Sequence, residues 1–236
     1  MRTVNIEPPA EIGARRGLSY ALFLPDGPPR GGVVVLHGAG SCKEAHYDFA
    51  RLCRSRGLAA VSFDQRGHGE STPGLDGRAA ADVAVMAGLL REHRCTEIGL
   101  RGSSMGGYFA LVAARAADVS GVVAICPASA EGLRRGVALD RFDFTADKRG
   151  LDAFLADHDE LQATAALGCP LLLLHAEGDE QVPVELSRAL HAAANGSRLV
   201  VAPGGHHRSI QHDLEFQDLS VRFLLRAFAE SAAGGA

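Results

Sequence analysis

The chain has 236 residues, 47% apolar and 22% charged, with a formal charge of −4. That composition supplies a globular core and excludes a disordered or fibrous polypeptide. Its 24 Lys and Arg residues are scattered, and the densest pair, Arg134-Arg135, has no aromatic interleaving, so no nucleic-acid footprint is expected.

Short apolar runs alternate with longer amphipathic segments, the pattern of an α/β fold with a largely parallel sheet flanked by helices. Strands are expected at 18–24, 33–37, 59–63, 97–101, 122–126, 171–175 and 199–202. Several are unbroken aliphatic stretches, as befits strands covered on both faces. Helices are expected at 45–56, 78–93, 105–117, 151–166, 185–194 and 213–229. In the last, Leu214, Leu219, Phe223, Leu224 and Phe228 fall at helical spacing for an apolar stripe. Ala233 to Ala236 reads as a frayed tail.

No repeat or linker divides the chain, so residues 1–236 are expected to form one domain. One connection is long: 42 residues from Pro127 to Gly168, where a single helix and short loops would suffice. Residues 127–168 are therefore expected to carry a small lid over the site. Met1 to Pro9 lacks the apolar core of a signal peptide. Aliphatic runs such as Leu171 to Leu174 are too short to cross a bilayer. Five cysteines, an odd number with no C-x-x-C pair, fit a reducing compartment. The expectation is a cytoplasmic protein with a small-molecule substrate and no membrane or nucleic-acid partner.

The chemistry concentrates where strands end. The predicted strand 97–101 runs into Gly102-Ser103-Ser104-Met105-Gly106-Gly107 and then a helix. A Gly-rich turn alone could explain the pentapeptide. Between a strand and a helix, G-x-S-x-G is a sharp turn that lifts Ser104 above the sheet. Small residues at 102 and 106 let the turn close, and the helix N-terminus adds amides and positive dipole beside the hydroxyl. A serine hydroxyl is a weak nucleophile until a base removes its proton and an acid orients that base. The expected chain order is Ser, then Asp or Glu, then His. Asp179 follows the strand 171–175 in a turn leading to a helix, with Glu177 and Glu180 as competitors that a solvated turn would also explain. The strand 199–202 ends in Pro203-Gly204-Gly205-His206-His207, where either histidine could serve and at least one must be a loop residue. The negative charge that acyl transfer builds needs donors. The amides of Ala39, in His37-Gly38-Ala39-Gly40, and of Met105 form the natural pair. Asp64, Arg66 and His68 precede Ser104, so Arg66 and His68 are read as loop braces. His206, His207 and His212 lack the spacing and carboxylate pattern of a metal site, and no metal or cofactor is expected.

Four segments together resemble the α/β-hydrolase superfamily, in its monoacylglycerol lipase and serine aminopeptidase branch. They are His37-Gly38-Ala39-Gly40, Asp64-x-Arg66-Gly67-His68-Gly69-x-Ser71, Gly102-x-Ser104-Met105-Gly106-Gly107 and His175-x-x-Gly178-Asp179-x-x-Val182-Pro183. The resemblance implies Ser104 as nucleophile, Asp179 as acid, and Ala39 and Met105 as oxyanion donors. Its spacing of Pro, three residues, then His implies His207 as base. The lid looks shorter than those of true lipases in that group. The expected activity is therefore serine carboxylic-ester hydrolysis through an acyl-enzyme, on small or short-acyl esters and without interfacial activation. The same triad could serve amide, thioester or peroxy chemistry, the last resembling cofactor-free haloperoxidases, and a hydrolase fold can also be a catalytically dead binding protein.

Overall fold

The computed structural model describes residues 7–234. Eight strands form one sheet: β1 (Glu11–Arg15), β2 (Leu18–Phe23), β3 (Gly32–Leu36), β4 (Ala59–Phe63), β5 (Ile98–Ser103), β6 (Gly121–Ile125), β7 (Leu171–Ala176) and β8 (Ser197–Ala202). Their order is β1-β2-β4-β3-β5-β6-β7-β8. The pairings β1–β2 and β2–β4 are antiparallel and the rest parallel. The helices are α1 (Tyr47–Ser55), α2 (Ala79–Glu92), α3 (Met105–Ala117), α4 (Ala130–Ala138), α5 (Lys148–Asp157), α6 (Glu160–Ala165), α7 (Val184–Ala193) and α8 (Leu214–Gly234).

The aliphatic runs are continuous because both sheet faces are covered. Val34 and Leu36 of β3 face the layer containing Met86, Leu90 and Phe109 from α2 and α3. Val33 and Val35 point the other way, into Phe49 of α1 and Leu224 and Phe228 of α8. Each such large side chain contributes about 2 kcal/mol by leaving water. Strands β3 and β5 thus lie in the middle of the sheet, and the C-terminal ends of β3, β5, β7 and β8 carry the loops of the site.

Five expectations are corrected. β1 was not foreseen: its residues are mostly exposed at the sheet edge, so the sequence lacks the apolar signal of a strand. α4 was also missed, its turn polar and interrupted by Gly132 and Gly136, yet Ser129 caps it by accepting the Gly132 amide. The single helix expected at 151–166 is two, α5 and α6. His158 leaves the helical region (φ −125°, ψ 84°) and Asp159 starts α6 by accepting the Gln162 amide. Tyr108 of α3 holds that break by donating its hydroxyl proton to the His158 carbonyl at 2.7 Å. Leu214 is not part of the apolar stripe: it is 77% exposed at the first turn of α8, where Gln217, Ser220 and Val221 turn inward instead. Ala233 and Gly234, expected to fray, continue α8, while Gly235 and Ala236 lie outside the described residues, as does the start of the segment from Met1. No described helix is long and apolar enough to cross a membrane.

Candidate active site

Ser104 caps α3 with φ 52° and ψ −118°, a region that L residues rarely occupy and that costs about 1–3 kcal/mol. Three backbone bonds hold it there. The Ser104 amide donates to Ile125 O at 2.9 Å, and its carbonyl accepts from Tyr108 N and Ala128 N, both at 3.0 Å. The turn closes only on glycine. A Cβ on Gly102 would sit 2.1 Å from Gly106 O, and one on Gly106 would sit 2.3 Å from Leu36 O. Ser104 faces open space, lining two adjoining cavities of about 450 and 750 Å³. Ser103 is buried, and its hydroxyl has no partner among the described residues.

His207 and Asp179 meet on the same side. His207 Nδ1 donates to Asp179 Oδ2 at 2.6 Å, and the imidazole lines both cavities beside Ser104. Asp179 Oδ1 accepts the amides of Gln181 and Val182 at 2.8 and 2.9 Å. Burial by itself would raise this carboxyl. The bonds from His207, Val182 and Gln181 outweigh it and hold the group at about 2. It is therefore a carboxylate at neutral pH, able to fix the imidazole with its Nε2 lone pair turned outward. His206 instead lies exposed on the loop, its ring nitrogen accepting the Arg208 amide. Glu177 and Glu180 are exposed, and among the described residues the side-chain partner of His207 is Asp179.

The oxyanion candidates flank Ser104. Met105 is the first residue of α3, where amides have no intrahelical acceptor. Among the described residues no protein acceptor takes the Ala39 amide, and Ala39 lines both cavities. The loop carrying it is fixed at its root by His37. The Gln65 amide donates to His37 Nε2 at 3.0 Å, so the proton sits on Nδ1, facing Gly38 O at 2.8 Å. Burial, helped by His68, pushes His37 down to about 4 and keeps it neutral.

Residues 64–71 brace the site from outside. Arg66 Nε lies 2.5 Å from Asp82 at the start of α2, and His68 Nδ1 contacts Arg66 O at 2.9 Å. Asp64 is buried against Lys43, whose ammonium lies 2.9 Å from Asp64 and 2.7 Å from Glu70.

Two supports escaped sequence reasoning. His175 lies behind Asp179, its Nε2 3.5 Å from Asp179 Oδ2, and both ring nitrogens are taken, by Ser187 Oγ at 2.7 Å and Val182 O at 3.0 Å. With Cys126 it forms the one group of three metal-capable side chains among the described residues. Because Asp179 is already bonded to His207 and His175 is saturated, the cluster is better built to hold the acid turn than to bind an ion. The second support is Arg101, on β5 three residues before Ser104. It is fully buried, with its guanidinium 4.0 Å over the Phe49 ring and Nη2 donating to Gln211 O at 2.8 Å. A charged residue inside a strand reads as an exposed position, and only the fold shows it tying the strand before Ser104 to the loop after His207.

Comparison with known proteins agrees with this fold. Residues 33–164 match the alpha/beta hydrolase family, and residues 156–229 match a TAP-like protein family. The chain is 28% identical to a monoacylglycerol lipase of Mycolicibacterium smegmatis, across 84% of this chain and 88% of that protein. Among solved structures, Est1E of Butyrivibrio proteoclasticus bound to ferulic acid superposes with a TM-score of 0.75 at 18% identity, covering 95% of this chain and all of that one. A monoacylglycerol lipase of Paleococcus ferrophilus gives 0.71 at 23% identity, covering 89% and 99%. At these identities the structures speak for the fold.

Proposed function

The chain belongs to the alpha/beta hydrolase family and is a hydrolytic enzyme of the ester-hydrolase kind, and from that premise we propose that it cleaves compact, short-acyl carboxylic esters through an acyl-enzyme on Ser104. The observation that carries the reading is the Asp179–His207 pair opening onto the same cavities as a serine held at a strained strand-to-helix turn.

In this mechanism His207 Nε2 accepts the Ser104 hydroxyl proton as Oγ attacks the ester carbonyl carbon. Asp179 keeps Nδ1 protonated and stabilises the imidazolium. The carbonyl oxygen gains the negative charge, for which the amides of Ala39 and Met105 are the donors. Collapse of that intermediate breaks the ester C–O bond, and His207 returns its proton to the leaving alkoxide. A water activated by the same imidazole then repeats the sequence on the acyl-enzyme and frees Ser104. Removal of such donors typically costs about 10²–10³ in rate.

The walls support a short acyl group. Each methylene gains about 0.8 kcal/mol only where apolar surface receives it. The larger cavity mixes Leu133 and Leu186 with Glu131, Arg135, Arg141 and Glu180. Its volume lies in the range of small-molecule sites. The unpaired cysteines of the described residues suit a reducing, cytoplasmic setting.

The test compares His206→Ala with His207→Ala in burst kinetics, using p-nitrophenyl esters of graded acyl length beside aminoacyl-nitroanilides. The expected outcome is loss of acylation in the His207 variant alone, with ester kcat/KM greatest at acyl groups of about two to six carbons. Loss in the His206 variant alone overturns the base assignment, and faster nitroanilide than ester turnover overturns the ester reading.

A further inference from the structure

One aromatic side chain of the lid touches both cavities. Phe142, half-buried in the turn after α4, lines the 450 Å³ and the 750 Å³ space alike, together with Ser104, Ala39 and His207. The two spaces differ in character. The smaller is walled by Ser41, Asp143, Arg208, Gln211 and His212. The larger has the apolar side chains of Ala128, Leu133, Val182 and Leu186 within its charged rim.

Phe142 is seated rather than loose. A Cβ on Gly136 would lie 2.3 Å from Phe142 Cε2, so the ring occupies the notch that the missing side chain leaves on α4. Its other face stacks on Phe144, with centroids 5.4 Å apart and planes at 15°. Phe144 lies 4.6 Å from His68, and His68 lies 4.9 Å from His37, the root of the Ala39 loop. The backbone beyond is pinned as well: Thr145 N donates to Gly67 O, and Leu75 N donates to Thr145 O at 2.8 Å. A ladder of four rings therefore fixes the divider to the oxyanion loop.

Resting on the ester-hydrolase reading, we propose that Phe142 is the partition between an acyl subsite, the larger cavity, and an alcohol subsite, the smaller polar one, and that its ring sets the upper limit of acyl length. A hydrocarbon chain gains from the apolar walls of the larger cavity and not from the carboxylate, guanidinium and amide groups of the smaller. Where the chain outgrows the larger cavity it meets the Phe142 ring. Removing the ring joins the two spaces, and each further methylene that finds cover multiplies binding about fourfold.

The full chain is assayed with p-nitrophenyl esters, leaving group constant, and the readout is the ratio of kcat/KM for an ester of about ten carbons to that of about four. Phe142→Ala is expected to raise this ratio about tenfold or more, and Phe142→Leu by less. Leu139→Ala, an exposed lid residue away from both cavities, is expected to leave it unchanged. A ratio within twofold of wild type in Phe142→Ala overturns the partition. An equal rise in Leu139→Ala overturns it too, by showing that any loosening of the lid suffices. Fluorophosphonate labelling of the wild-type chain separates the two levels. Labelling with an unmoved ratio defeats the partition alone, whereas an unlabelled, inactive wild type defeats the ester reading beneath it.

Discussion

Ser104 follows a strand whose every residue is buried, while Phe142 lies in a cap whose neighbours Arg141 and Asp143 are exposed. The elbow is held by backbone bonds to β6 and α3 and by two glycines that admit no side chain. The cap is held by end caps, a ring ladder and surface ion pairs such as Arg134–Asp152. The difference separates two tasks. Under the proposal that Ser104 is the nucleophile, a displacement of about 1 Å would cost about a hundredfold in rate, and a tightly bonded turn guards against it. A selectivity wall need only exclude, and side chains with ordinary freedom can do that.

Substitutions on either side sharpen the contrast. The largest effect is expected at the acid. Asp179→Asn should lower kcat/KM by about 10⁴, because an amide favours the wrong imidazole tautomer, while circular dichroism stays native. Near-normal turnover would break the assignment and move the acid to Glu177 or Glu180.

Next comes the elbow itself. Gly106→Ala must push a Cβ against Leu36 O, so the urea midpoint should fall by an amount equivalent to about 3 kcal/mol or more, or no folded protein should be recovered. A stable, active Gly106→Ala variant would show that the turn yields after all.

Acidification tests the site's underpinnings. Burial lowers His37 from 6.5 to about 4, and His46, buried just before α1 and stacked on the cavity residue His212, from 6.5 to about 3. Both are neutral when folded and free to protonate when unfolded. Their stabilisation is therefore complete above pH 6.5 and is lost as pH falls toward 4, each by an amount on the order of 3 kcal/mol. Asp179, lowered from 3.8 to about 2, adds a further loss of the same sign below pH 4. The Tm should accordingly drop steeply between pH 6.5 and 4, and His46→Leu should flatten that slope. An unchanged slope would remove His46 from the explanation.

The smallest effect belongs to the cap's surface. Arg134→Ala breaks an exposed pair with Asp152 and should leave Tm unchanged within error, since such pairs are screened by water and salt. A clear fall would mean that the cap depends on its ion pairs more than on its caps and rings.

The same contrast explains what could be read without coordinates. Strands β3, β6 and β7 announce themselves as aliphatic runs because helices cover both faces, and the glycines at 102 and 106 mark a turn that admits no side chain. Asp179 and His207 follow from chain order, and the geometry brings them to 2.6 Å. β1 stayed hidden because an edge strand needs no apolar face. The α5–α6 break stayed hidden because its decisive partner, Tyr108, is 50 residues away. Phe142 was legible as a pocket-lining residue, but the bracing by Arg101 and His175 and the seating of Phe142 were illegible for the same reason. Their roles depend on Gln211, Ser187 and Gly136, contacts that no local pattern encodes.

We propose Ser104 as the nucleophile and His207 as its base. Labelling with a fluorophosphonate probe, followed by mass mapping of the modified peptide, tests it most directly. The expected result is one adduct, on Ser104, absent in Ser104→Ala, retained in Ser103→Ala and slowed by orders of magnitude in His207→Ala. An adduct on Ser103, or a folded chain that turns over esters with Ser104 unmodified and replaceable, would contradict it.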